Sequence, residues 1–460
     1  SDATLVPSAS YSRYWRNTGT LQLSPFTSLV MLVGVTSVRD LRQYGDSTTV
    51  GRLLLLQRRT LFGQDVGIET QRSITANLSY TPNLGPGIRP RFTMSNLFSL
   101  SRDPNATAPV FTADSAFRLP QAFANSQRLD MGMDLDPGRL SRGFFGDSSW
   151  VVRVIRHLTN ISLAYSRSRQ SSFSQVAGSP TADYQLGLGS LASFRFQGGV
   201  PASSALETAT TSASGGADLV GGLRITTTYQ TTTGVTWFLQ GTTQVPLEIS
   251  SLDWPSGSVA WTISPSRNGL GIGRFLSGAT AQLAFRRHVS TTAQSLLGAF
   301  GTTQLALNQA TDRTLAPSLT LTWIYGILTS ADYSTDRSES VQSGSLFLTR
   351  NTATNAYIAF AFRPPQKLIH LPTPIRANAR VTVTATTTCI ESTDATSCVS
   401  YVDTRQRQTQ FSMDTDFPPL FSAGLQVGYI LNEQRQLNQK NGDLTITAYV
   451  SLSTSVGQFR

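Results

Sequence analysis

Apolar and polar residues alternate with a period of two wherever periodicity is visible in this chain. In the segment 421–429, Phe, Ala, Leu, Val and Tyr alternate with Ser, Gly, Gln and Gly. The segments 319–325 and 444–452 show the same pattern. Successive side chains of a strand point to opposite faces of a sheet, so the alternation predicts strands with one apolar face and one polar face.

Helical membrane proteins and coiled coils are excluded by the same sequence. The longest apolar runs, such as Leu53–Leu56 and Leu29–Val33, have the length of strands, whereas a spanning helix needs about 18 apolar residues or more. Only 14% of the residues are charged, which is too few for a coiled coil. The 39% of hydrophobic residues argues against disorder. We therefore predict an all-β chain with little or no helix.

The composition of the second face decides which all-β architecture is expected. This face consists of Ser, Thr, Gln and Gly with few charges, and aromatic residues lie near the ends of many predicted strands. A transmembrane β-barrel has an apolar outer face, a polar lumen and aromatic girdles. We predict a single outer-membrane barrel domain over residues 1–460, or a large antiparallel segment of one, with roughly 18–22 strands. A large soluble solenoid or adhesin-like sandwich is the alternative.

Residues 202–217 form the longest low-complexity stretch of the chain, with the sequence ASSALETATTSASGGA. Its small and polar composition predicts an exposed loop. No shift in composition along the chain marks a boundary between domains, so we expect the loop to belong to the single barrel domain.

The formal net charge of +10 indicates anionic partners. The arginines that carry it are mostly isolated in the sequence, and the densest clusters are Arg58–Arg59 and Arg286–His288. We therefore predict a lipid surface as the partner, with lipopolysaccharide and the outer-membrane bilayer in contact with the chain, and no nucleic acid.

Cys389 and Cys398 are the two cysteines of the chain, and a polar segment of eight residues separates them. Both flanks of this segment are predicted strands, so we predict a disulfide at the tip of a hairpin, which would indicate an oxidising compartment. Two unpaired thiols are the alternative. The histidines are His157, His288 and His370, so none is near enough in sequence to predict a zinc site with the pair.

One weak catalytic pattern is present in the sequence. His288 and Ser290 would share a strand face, as a base and a nucleophile could. The sequence does not identify a third residue to hold the imidazole, and Asn308 is the one candidate we name. A solvated strand end is the simpler interpretation. We predict no enzymatic activity.

Cofactor and metal motifs are also weak. The glycine-rich strings at 187–189 and 269–273 lack the strand–helix context of a phosphate-binding loop and predict kinks in strands. Asp130, Asp134 and Asp136 could share a strand face, but they lack the spacing of a calcium loop, and a polar lumen face is the interpretation we favour. No cofactor is predicted.

Four strings resemble, in the same order, the C-terminal portion of the SprA/Sov family of outer-membrane translocons of the type nine secretion system. Residues 25–42 contain PFTSL and end in SVRDLR, similar to an R-D/N-L step in that family. FGQDVGIET at 62–70 resembles its G-x-D-V-G-x-E-T string. ISSLDW at 249–254, before WTI at 261–263, resembles its I-P-N-W string.

The fourth string runs from LAPSLTLTW at 315–323, through TRN at 349–351, to the segment 357–363. It is similar to the family's F-S-P-L-I-G, S-R-T-L and G-L-G-Y-R strands. The chain departs from the family where Trp254 precedes its proline and where GSLFLTR replaces the S-R-T string at 344–350. Family members are several times longer than 460 residues, so the resemblance covers the last part of their barrel.

The resemblance implies a bacterial outer-membrane channel through which folded protein cargo is exported passively. It also implies a lateral β-barrel cap and a periplasmic plug as partners, and it brings no catalytic residues. A self-contained porin or solute-uptake channel is the alternative function, and an enzyme barrel built around His288 and Ser290 is a remote third.

Overall fold

The computed structural model describes residues 13–43, 51–52, 55, 58–61, 64–102, 110–111, 117–118, 120–145, 150–219, 221–264, 275–298, 301–342, 345–363, 373–391, 399–417 and 421–452. Strand accounts for 78% of this structure and helix for 8%. The prediction of an all-β antiparallel fold with little helix is confirmed.

The strands are β1 Tyr14–Phe26, β2 Leu29–Asp40, β3 Thr60–Leu61, β4 Gln64–Asp65, β5 Ile68–Tyr80, β6 Ile88–Arg102, β7 Val110–Phe111, β8 Phe117–Arg118, β9 Gln121–Leu135, β10 Ile161–Val176, β11 Phe196–Gln197, β12 Val200–Pro201, β13 Ser204–Asp218, β14 Leu223–Gln240, β15 Thr243–Ile263, β16 Leu276–Gly298, β17 Gly301–Trp323, β18 Leu328–Gln342, β19 Ser345–Phe362, β20 Ile375–Glu391, β21 Val399–Phe417, β22 Phe421–Gln434 and β23 Gln439–Leu452. The helices are α1 Pro137–Phe145, α2 Trp150–Ile155, α3 Ala182–Gln185, α4 Leu191–Arg195 and a 3-10 turn at Arg435–Leu437.

Seventeen of these strands form one antiparallel sheet. Each sheet strand pairs with the next sheet strand along the chain, so the sheet is a meander from β1 to β23. The short strands β3, β4, β7, β8, β11 and β12 form three separate two-residue hairpins. Within the described part of the chain, β1 pairs only with β2 and β23 only with β22, and no ladder joins these two edge strands.

The register separates apolar and polar side chains onto opposite faces, because directly opposed residues of neighbouring strands share a face. One row of opposed residues is mostly apolar: Val427, Phe411, Ala379, Ile358, Thr329, Leu321, Ala279 and Ile263. The adjacent row on the other face is mostly polar: Gln410, Arg380, Tyr357, Ser330, Thr320, Thr280 and Thr262. We call these two sides of the sheet the apolar face and the polar face.

The prediction of an exposed loop at 202–217 is wrong. Residues 204–218 form β13, which pairs with β10 on one side and with β14 on the other. The small side chains were misleading because the neighbouring strands satisfy the backbone hydrogen bonds along almost the whole segment. Thr210 even bonds through its hydroxyl to Thr232 of β14, with 3.0 Å between the two oxygens.

A compact core lies where the connection between β10 and β13 folds back on the apolar face. Residues 177–203, which we call the cover segment, contain α3 and α4. Tyr184 and Phe194 of this segment are fully buried and pack on a cluster of sheet residues that includes Phe98, Phe123 and Phe173. Burial raises the pKa of the Tyr184 phenol, and its hydroxyl lies 2.8 Å from that of Ser171.

Amide side chains of the sheet donate hydrogen bonds to backbone carbonyls of the cover segment. The Asn96 side chain donates to the Gln185 carbonyl over 2.8 Å, and Asn125 and Gln127 donate to the carbonyls of Tyr184 and Gly187. These amides explain why polar residues interrupt the apolar face at this position: without them the buried carbonyls would lack partners.

Candidate functional surface: the polar face of the sheet

The polar face carries hydroxyl, amide and charged side chains over most of its area. On β20, Thr382, Thr384, Thr386 and Thr388 lie on this face, and β21 places Gln406 and Gln408 directly beside them. The alternation along the strand produces this arrangement, since the intervening residues of β20 are Val383, Ala385 and Thr387. A face of this composition favours contact with water and polar solutes.

The polar face is concave where it is formed by the strands from β1 to β10. Arg16, Thr36, Ser73, Ser99, Ala124 and Ser172 belong to six successive strands of the sheet, from β1 to β10, and all line one cavity of about 550 Å³. Side chains on so many successive strands can border a single cavity only if the sheet curls around it. The small side chains in this row leave room for the curvature, and Ser172 and Ser204 continue it with 2.8 Å between their hydroxyl oxygens.

Many charges on the polar face are paired with one another, either within a strand or across neighbouring strands. Arg376 contacts Asp414 at 2.9 Å and Asp416 at 2.6 Å. Arg128 contacts Asp130 at 2.9 Å, and Arg91 lies 3.8 Å from Asp134. These pairs are largely exposed, so they contribute little to stability, but they neutralise much of the charge that the face would otherwise present.

His288 belongs to one of these charge clusters. Its Nδ1 lies 2.9 Å from Oδ1 of Asp253, and the same carboxylate oxygen accepts a hydrogen bond of 2.8 Å from Arg286. Asp312 of β17 is directly opposite His288 in the ladder. A carboxylate that holds Nδ1 fixes the orientation of the ring and leaves Nε2 available.

Asp253, not Asn308, is the residue that holds the imidazole. Asn308 is opposite Thr292, and Ser290 is opposite Ser251 and Ala310. Among the described residues, no hydrogen bond joins His288 to Ser290, although the two share the polar face. Sequence spacing could not identify Asp253, because it comes from another strand and its alignment with His288 follows a bulge in β15.

The three predicted acidic residues separate in the structure. Asp130 and Asp134 lie on the polar face as expected, in the ion pairs described above. Asp136 lies beyond the end of β9, where its carboxylate accepts a hydrogen bond of 3.0 Å from the backbone of Arg139 at the start of α1. No group of three or more His, Cys, Asp or Glu that could hold a metal ion is present in the described ranges.

The glycines at 187–189 do not form a kink in a strand. They follow α3 in the cover segment, where Gly187 has a φ of 70° and a Cβ would lie 2.3 Å from the side-chain oxygen of Asn96. Close packing of the cover segment against Asn96 therefore explains why residue 187 is a glycine. The second glycine-rich string, at 269–273, lies outside the described residues.

Cys389 is located near the end of β20, opposite Leu348 and Ser400. Cys398 lies outside the described residues, so the predicted pairing of the two cysteines stays a prediction.

The apolar face carries a band of exposed apolar side chains. On β17 this band runs from Leu315 to Trp323, which is about 26 Å at the usual rise of a strand. Leu315 and Leu319 are 43% and 42% exposed, although they belong to a regular interior strand of the sheet. Such a surface is unfavourable in water and needs an apolar environment.

No helix in the described ranges is long and apolar enough to cross a membrane. Comparison with known protein families and with curated proteins finds no match for this chain.

Proposed function

We propose that this chain forms the wall of a bacterial outer-membrane channel. The observation that carries the proposal is the separation of the two faces of the sheet: an exposed apolar band on one and a concave, hydroxyl-rich surface on the other. A membrane barrel has an apolar band about 25 Å tall facing lipid and a polar lumen. At the usual strand tilt of about 40°, the band on β17 would be about 20 Å tall, which approaches that height. The curvature of the sheet favours the polar face as the lumen.

Within this class, we propose passage of protein and no catalytic step. If the 17 strands closed into a cylinder, the usual strand spacing and tilt would give a backbone diameter of about 35 Å. The lumen would then be lined mainly by Ser, Thr and Gln, with most charges already paired. Hydroxyls and amides offer weak and replaceable hydrogen bonds to a moving protein surface.

The resemblance to the SprA/Sov translocons supports protein export and adds partners to the proposal. These are secreted protein cargo, a lateral barrel cap and a periplasmic plug. A solute channel of the porin type is the second candidate, because the strand number of the sheet is within the range of water-filled porins. The low content of charge, 14% of the residues, favours the translocon over the porin, since solute-selective pores usually use rings of charged side chains.

Depletion of the protein in its native bacterium tests both levels of the proposal. We expect the protein in the outer-membrane fraction, and we expect its depletion to reduce the amount of secreted surface proteins while uptake of small solutes stays normal. Re-expression of the unaltered gene is the control. Normal secretion with impaired solute uptake would refute the translocon and support the porin. Recovery of the protein from the soluble fraction would refute the membrane channel itself.

A further inference from the structure

Four arginines that are far apart in the sequence form one row across neighbouring strands. The register pairs Arg287 of β16 with Arg313 of β17, Arg313 with Arg337 of β18, and Arg337 with Arg350 of β19. Directly opposed residues lie on the same face, so the four guanidinium groups project from one side of the sheet. We call this set the arginine row.

The arginine row lies on the apolar face, at the border of the apolar band. Arg313 is two residues from Leu315, where the band of β17 begins, and Leu315 is opposite Phe285, two residues from Arg287. All four arginines are exposed. On β16, Ala293 lies six residues beyond Arg287, away from the band, and lines a cavity with Leu191 of the cover segment. The row therefore lies between the apolar band and the level reached by the cover segment.

Within the described part of the chain, the four arginines of the row make one ion pair, with a single carboxylate. Arg337 contacts Glu339 at 2.8 Å. Arg287, Arg313 and Arg350 have no hydrogen bond or ion pair with any residue that the structure describes. Like charges directly opposite each other destabilise a sheet, so the row as it stands is unfavourable and would be stabilised by an anion bound across the strands.

A depression beside the row fits such an anion. It has a volume of about 570 Å³, and Arg313, Arg337 and Arg350 line it together with Leu315 and Leu348. Guanidinium groups bind phosphate with two parallel hydrogen bonds. The neighbouring leucines and the apolar band below offer a surface for acyl chains, which a free inorganic anion would not use.

We propose that the arginine row binds the phosphorylated headgroup of a glycolipid in the outer leaflet, with the acyl chains on the apolar band. The inference rests on the proposed membrane location, because it requires the band to face lipid. It also assigns a direction: the border marked by the arginine row is at the outer-leaflet surface, and the cover segment lies beyond it.

The test measures binding of a diphosphoryl lipid A to the purified full chain in detergent by native mass spectrometry. The same lipid without its phosphates is the reference ligand. We expect the phosphorylated lipid to bind at least about tenfold more tightly, and we expect R313Q/R337Q to lose about tenfold or more of that affinity, since each arginine near an anionic surface contributes appreciably.

The matched control is R16Q/R89Q, which removes two exposed arginines from the polar face and should leave binding unchanged. The strand signal in circular dichroism shows whether each variant is folded. Equal binding by R313Q/R337Q and the unaltered chain would overturn the proposal, as would equal binding of the two lipids. Displacement of the lipid by an equal concentration of inorganic phosphate would also overturn it, in favour of a free-anion site.

The binding measurement is independent of the channel proposal. A chain that binds the phosphorylated lipid but whose depletion leaves secretion normal would refute only the translocon. A chain needed for secretion that does not distinguish the two lipids would refute only the lipid site.

Discussion

Single residues of β22 illustrate the opposite requirements of the two faces. Val427 lies on the apolar face opposite Phe411, and Gln426, its neighbour in the chain, lies on the polar face opposite Ser412. An arginine in the middle of a lipid-facing band costs about 2–4 kcal/mol, whereas lumen positions tolerate charge. We expect Val427→Arg to lower the free energy of unfolding from bilayers by that amount and Gln426→Arg to change it little. Equal effects in a urea titration would contradict the assignment of the faces.

The predicted disulfide also belongs to the scale of single residues. A bond between Cys389 and Cys398 would close a short polar hairpin tip and stabilise the chain by roughly 2–3 kcal/mol in the chain-entropy model. We expect neither thiol to react with an alkylating reagent before reduction and both to react after it. Mass spectrometry of the non-reduced protein makes the measurement, and alkylation of both thiols without reduction would exclude the bond.

At the scale of elements, the sequence predicts long alternating strands well, but it predicts poorly the strands of small polar residues and the short helices. β17, β22 and β23 follow from their period-two pattern. β13 does not, because Ala, Ser, Thr and Gly give it little apolar contrast, and its pairing with β10 and β14 is what makes it a strand. The helices α3 and α4 have four and five residues, too few for a helical period. They are fixed by contacts with residues distant in sequence.

The cover segment provides a test at this scale. Phe194 is fully buried in it, whereas Leu188 is 65% exposed. Truncation of a buried phenylalanine costs about 3–5 kcal/mol, because a cavity remains. We therefore expect Phe194→Ala to lower the free energy of local opening of residues 177–203 by about that amount in hydrogen exchange, and Leu188→Ala to change it little. Similar exchange rates in the two variants would show that the segment does not pack as described.

At the scale of the whole molecule, the hairpin rhythm of the sequence is sufficient to predict an antiparallel meander. The expected 18–22 strands compare with 17 sheet strands in the described part of the chain, so the assumed 20–25 residues per strand and connection was slightly too short. The candidate sites depend on the register between neighbouring strands, and the alternation within each strand does not predict that register. The contact of Asp253 with His288 and the arginine row both join residues that appear unrelated until neighbouring strands are aligned.

Cysteine labelling tests the two faces across the whole sheet. With Cys389 and Cys398 replaced by serine, Ser99→Cys and Thr382→Cys place a thiol on the polar face, and Leu319→Cys and Val381→Cys place one on the apolar face. Leu319 and Val381 are 42% and 43% exposed in the isolated chain, so protein atoms alone would not shield them from a reagent. A surrounding bilayer would do so.

We therefore expect a water-soluble maleimide to label the thiols at 99 and 382 in membranes and to leave those at 319 and 381 unmodified until detergent is added. Thr382 and Val381 are adjacent in β20, so they have nearly the same depth and differ mainly in the face on which they lie. Equal labelling of this pair in membranes would mean that both faces meet water, which would refute the proposed contact of the apolar band with lipid.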